Sequence, residues 1–62
     1  MKHYKAWFKI FDDMDYIQLV YFGSSKRDCL KSAKDASLDH GGIPITIMES
    51  SKNGEKRWSV QA

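Results

Sequence analysis

The chain has a single cysteine, Cys29, in 62 residues. It therefore has neither an internal disulfide framework nor a cysteine-based zinc site, the usual staples of so small a domain. A reducing, cytoplasmic setting is the expectation. No apolar run approaches the 18 residues of a membrane span, so a soluble protein without a membrane partner is expected. The formal net charge is only +2, too weak for the strongly basic signature of a dedicated nucleic-acid-binding domain. There is no glycine-rich phosphate loop, nucleophile elbow or zinc motif, and His3, His40 and Cys29 lack metal-ligand spacing. A chain near 60 residues hides only about 60% of the surface its unfolded form exposes, which leaves little room for a catalytic cleft. One domain, residues 1–62, is expected, with no catalytic residues, no cofactor and no metal.

What is present is a strongly patterned chain. Residues 4–11 and 16–22 are rich in aromatic and β-branched types and read as strands. Between them Asp12, Asp13, Met14 and Asp15 make a polar cluster suited to a hairpin loop. Gly23 interrupts the second strand, and Ser24–Ser25 with Asp28 resembles a capping box that opens a helix over 26–39. Cys29, Leu30, Ala33 and Ala36 fall on one arc of that helix, and His40, Gly41, Gly42 and Pro44 end it. Ile43, Ile45 and Ile47 alternate with Pro44, Thr46 and Met48 in a strand over 43–49. Asn53–Gly54 is a strong type I′ hairpin signal leading to a last strand over 56–61. The fold class is α+β: a ββαββ domain whose four-stranded, mostly antiparallel sheet carries one helix on one face. Strand order is left open.

In the first hairpin the expected register faces Ile10 with Ile17, Phe8 with Leu19 and Ala6 with Tyr21, and on the other face Phe11 with Tyr16 and Trp7 with Val20. In the second it faces Ile47 with Val60 and Glu49 with Trp58. One helix covers one face. The more continuously apolar face, with Ala6, Phe8, Ile10, Ile17, Leu19, Ile45, Ile47 and Val60, is assigned to it. The open face then shows Lys5, Trp7, Lys9, Phe11, Tyr16, Gln18, Val20 and Phe22. Aromatic rings among lysines suit a protein interface, with anchors inside a polar rim. They also suit base stacking with phosphate contacts, or a homodimer closed through the same face. The candidate partner-binding residues are Lys5, Trp7, Lys9, Phe11, Tyr16 and Phe22, together with Asp12, Asp13 and Asp15 as an acidic contact patch. Arg27, Lys31 and Lys34 form a basic helix flank that, with Lys26, would steer an acidic partner.

Three stretches carry a resemblance to known proteins: Ala6-Trp7-Phe8-Lys9-Ile10, then Ser24-Ser25 with Leu30 to Ala36, then Gly42 to Met48. This run of hairpin, serine cap, alanine-patterned helix and returning strand resembles small early proteins of bacteriophages, namely the phage inhibitor of bacterial RNA polymerase and several anti-CRISPR proteins. The likeness is one of pattern, and no binding residue is carried over from it. It implies a class of function: non-enzymatic inhibition, in the host cytoplasm, by occluding a surface of a host protein or protein complex. The alternative is a small RNA- or single-stranded-DNA-binding domain.

Overall fold

The structure, a computed structural model, describes residues 1–10 and 16–62. The elements are β1 (His3–Lys9), β2 (Ile17–Gly23), α1 (Lys26–Asp39), β3 (Ile45–Ser51) and β4 (Gly54–Val60). They form one antiparallel sheet in the order β2-β1-β3-β4. The expected α+β, ββαββ architecture and the helix over 26–39 are therefore present. β3 begins two residues later than expected, and β4 starts at Gly54. The expected loop at Asp12–Asp15, with Phe11, lies outside the described residues.

The helix starts where its cap chemistry says it should. Ser25 is extended, at φ −97° and ψ 109°, and its hydroxyl accepts from the Asp28 amide at 3.2 Å. The reciprocal half of the motif is supplied by another element, because the Ser25 amide donates to the Tyr21 hydroxyl at 3.3 Å. At the other end Gly41 and Gly42 take φ of +78° and +83°, values that favour glycine, and the Gly42 amide closes back on the Ser37 carbonyl.

Cys29, Ala33 and Ser37 are the fully buried helix residues, with Leu30 and Ala36 half-buried. Small side chains at i, i+4 and i+8 let the helix lie close over Tyr4, Ala6, Ile45 and Ile47. Ser37 was not among the expected core residues because it is polar. Its burial is permitted by two hydrogen bonds: the hydroxyl donates to the Ile43 carbonyl at 2.6 Å and accepts from the Ala62 amide at 3.0 Å.

The first hairpin departs from the expected register halfway along. Ala6 faces Tyr21 and Lys5 faces Phe22 as expected, but Trp7 then faces Leu19, Phe8 faces Gln18 and Lys9 faces Ile17. One extra residue of β2, Val20, sits in a bulge between Ala6 and Trp7. A one-residue shift exchanges the faces of everything beyond it. Ile17 and Leu19, assigned above to the helix side, share the open face with Lys9 and Trp7. Val20, expected on the open face, instead packs against the core beside Tyr21, while Gln18 moves to the helix side opposite Phe8. Ile10, also expected under the helix, is 49% exposed. Strand alternation alone cannot reveal such a bulge.

The second hairpin is displaced by two residues. Ser51 faces Gly54, so Lys52 and Asn53 form the turn, and Gly54 follows it at φ +118°. A two-residue shift leaves every face unchanged. It sets Trp58 opposite Ile47 and Val60 opposite Ile45, and Lys56 opposite Glu49. The expected register would have put an indole opposite a carboxylate, so the observed one matches apolar with apolar and charge with opposite charge.

Glu49 is the one charged side chain in the core among the described residues, 8% exposed. It accepts from the Tyr4 hydroxyl at 2.8 Å, and Lys2 stands 3.9 Å from its other oxygen. The Tyr4 bond, aided by the charges of Lys2, Lys56 and Lys26, holds the Glu49 carboxyl below its ordinary range despite the opposing effect of burial. The same hydrogen bond, with burial and the nearby negative charge, pushes the Tyr4 hydroxyl up.

Two outcomes follow. Ser37→Ala strips partners from the Ile43 carbonyl and the Ala62 amide and lowers stability by about 1–3 kcal/mol in urea unfolding. For Glu49 the folded value lies below the unfolded one, so its contribution is complete above the ordinary carboxylate range and is lost as pH falls through the folded value. Unfolding curves between neutral pH and about pH 2 therefore show an acid limb that Glu49→Gln flattens.

Candidate interaction face

The face turned away from α1 is read off the pairings as rows across the sheet. One row runs Leu19, Trp7, Thr46, Ser59, and the next runs Phe22, Lys5, Met48, Arg57. Below the first row Ile17 stands opposite Lys9, and above the second His3, Ser50 and Glu55 follow in line. The fold thus brings Lys5, Trp7, Lys9 and Phe22 onto one surface, as the alternation of the strands predicts. Tyr16 is exposed just before β2, and its carbonyl accepts from the Ile10 amide at 3.1 Å, which continues the shifted register. Alternation therefore groups Tyr16 with Gln18 and not with Trp7, a correction to the expected set. Phe11, Asp12, Asp13 and Asp15 lie outside the described residues.

Three residues that sequence reasoning placed elsewhere or passed over complete the surface. Ile17 and Leu19, 44% and 50% exposed, arrive through the bulge, and Met48 comes from β3 between Lys5 and Arg57. Met48 was legible in principle, since it alternates with the three isoleucines. The two on β2 were not. Phe22, 68% exposed, stands beside Lys5, whose ammonium lies 5.4 Å from the centre of the Trp7 ring. That cation–π contact sets a positive charge over the half-buried Trp7 and beside an apolar patch.

The patch is lopsided. Ile17, Leu19, Phe22 and Trp7 lie over β2 and β1, while the half over β3 and β4 holds Thr46, Ser59, Ser50, Glu55 and Arg57 with one apolar side chain, Met48. On the other side of the sheet the basic helix flank of Arg27, Lys31 and Lys34 is solvent-exposed. Lys26 is engaged elsewhere, with its ammonium 5.6 Å from the Trp58 ring.

A polar cleft of about 150 Å³ opens between Lys2, Glu49 and the β3–β4 turn, and a groove of about 320 Å³ runs beside Phe8, Ile43 and Pro44. Ligand pockets usually enclose about 300–1,000 Å³, so the cleft falls short of that range and the groove stands at its lower end. Among the described residues no three His, Cys, Asp or Glu side chains are gathered to hold a metal ion. Cys29 is buried, which pushes its thiol up, away from the reactive thiolate. No described helix is long and apolar enough to cross a membrane.

Compared with protein-family models, with curated proteins and with solved structures, the chain matches none.

Side chains that serve a surface and not the core carry little stability. Ile17→Ser and Phe22→Ser each shift the unfolding free energy by about 0.5 kcal/mol or less. Ile47→Ala, beneath the helix, costs about 2–5 kcal/mol by the same measurement.

Proposed function

We propose that this is a non-enzymatic binding protein that uses the open face of its sheet to occlude a surface of a partner protein, as the resemblance to small phage inhibitors of host complexes implies. The observation that carries the reading is the cluster of exposed Ile17, Leu19 and Phe22 around the half-buried Trp7, edged by Lys5, Lys9 and Arg57. Aliphatic side chains make up half of that cluster. They offer a protein the dry contact of an interface core but offer a nucleobase no ring to stack on. The dimensions of the molecule support the same use: its broad side measures 33 × 24 Å against a thickness of 15 Å. A standard interface takes about 800 Å² from each partner, so the protein reaches that size by committing a whole broad face.

The alternative reading, a domain binding RNA or single-stranded DNA, is favoured by the lysine fixed over Trp7. Affinity capture from a host lysate, with and without nuclease, separates the two. The expected result is a protein retained after nuclease treatment. Its affinity should fall at least thirtyfold, about 2 kcal/mol, with Trp7→Ala, while circular dichroism shows the fold unchanged. Capture that vanishes with nuclease and weakens steeply with salt supports the nucleic-acid reading instead. Capture indifferent to Trp7→Ala removes this face as the site.

A further inference from the structure

We propose that two copies of this chain pair edge to edge through β2, antiparallel and about a two-fold axis normal to the sheet, which makes one eight-stranded open face. The inference rests on reading that face as the binding surface and says how it is assembled. Its starting point is the lopsidedness of the patch. Interfaces put their apolar residues at the centre and their polar ones at the rim, yet in a single copy Ile17, Leu19 and Phe22 run along the outermost strand. A two-fold normal to the sheet keeps both open faces on the same side and reverses strand direction, as antiparallel pairing requires. It places the three residues of each copy on either side of the seam. The polar halves, with Thr46, Ser59, Glu55 and Arg57, become the two outer flanks.

The two edges of the sheet differ in the way this pairing needs. β2, Ile17–Gly23, contains no charged residue, whereas β4 carries Glu55, Lys56 and Arg57 in succession. Charge on an edge strand is a standard guard against strand addition, and β2 lacks it. Among the described residues, no like charges on the open face oppose each other across the β2 seam. The nearest open-face lysine, Lys5, is one strand in, so the two copies' lysines stand three strand spacings apart, about 14 Å. That exceeds the screening length of roughly 8 Å in physiological salt. Stacking two copies face to face would instead bring Lys5 and Arg57 of both into one layer between sheets about 10 Å apart.

The Val20 bulge and the Gln18 amide, which donates to the Leu19 carbonyl at 3.3 Å, shorten the regular stretch available for pairing. The dimer is accordingly weak, with a dissociation constant on the order of 10–100 µM.

Sedimentation of the full chain from about 5 to 500 µM, bracketing that constant, tests this. The expected mass rises from monomer toward dimer. Leu19→Lys abolishes the rise with the circular dichroism unchanged, and Met48→Lys, two strands from the seam, leaves it intact. Hydrogen exchange on the unaltered chain gives a second readout: β2 amides gain protection with concentration and β4 amides do not. A chain monomeric throughout, a dimer that survives Leu19→Lys or is lost in Met48→Lys, or protection gained at β4 overturns the proposal. A monomer that still captures a protein through Trp7 overturns the dimer alone. A β2 dimer whose capture ignores Trp7→Ala overturns the docking reading alone.

Discussion

A single helix of fourteen residues lies over four strands, and most of the molecule follows from that inequality. The helix makes its contact through Cys29, Ala33 and Ser37, side chains too small to fill a core by themselves. The bulk must come from the sheet, and Tyr4, Phe8, Tyr21 and Trp58 supply it from the helix side. Those four rings, with Ile45 and Ile47, are what the short chain can spend on stability. Among the described residues no second layer covers the other face, so Ile17, Leu19 and Phe22 stand exposed there.

The bulge decides which residues those are. Without it Ile17 and Leu19 would extend the core toward the loop end of the first hairpin, and the open face would be mainly aromatic and basic. With it Val20 turns inward beside Tyr21, and two aliphatic side chains appear next to Trp7. The chemistry of the surface changes with that exchange. Rings among lysines serve a base as well as a protein, but a cluster that is half aliphatic favours dry contact with another protein. Tyr21, which faces Ala6 on the helix side whether or not the bulge is there, reaches the Ser25 amide with its hydroxyl. One irregular residue therefore changes the chemistry of the side of the sheet that faces away from α1.

Charge is distributed just as unevenly. Among the described residues the core admits one carboxylate, Glu49, with the Tyr4 hydroxyl on one oxygen and Lys2 beside the other. The opposite edge strand carries three consecutive charges and the β2 edge none. The second hairpin takes its register from the same logic, because sliding by two residues sets Lys56 beside Glu49 and keeps Trp58 and Val60 over the isoleucines.

Sequence alone determined the order of the elements, the helix from Lys26 to Asp39, its serine cap and glycine exit, and the membership of Lys5, Trp7, Lys9 and Phe22 in one face. These depend on local chemistry: capping hydroxyls, positive-φ glycines and the two-residue period of a strand. Ser37 shows how near the limit other features lie, since it continues the i+4 spacing of Cys29 and Ala33, and only its hydroxyl argued against burial. Tertiary structure alone decided the strand order, the turn at Lys52–Asn53, the hydrogen-bonded burial of Glu49, and the transfer of Ile17 and Leu19 to the open face. Each of those turns on which residues of distant segments meet. A register shift of one residue leaves the local pattern of a strand untouched while reversing the side that its residues face.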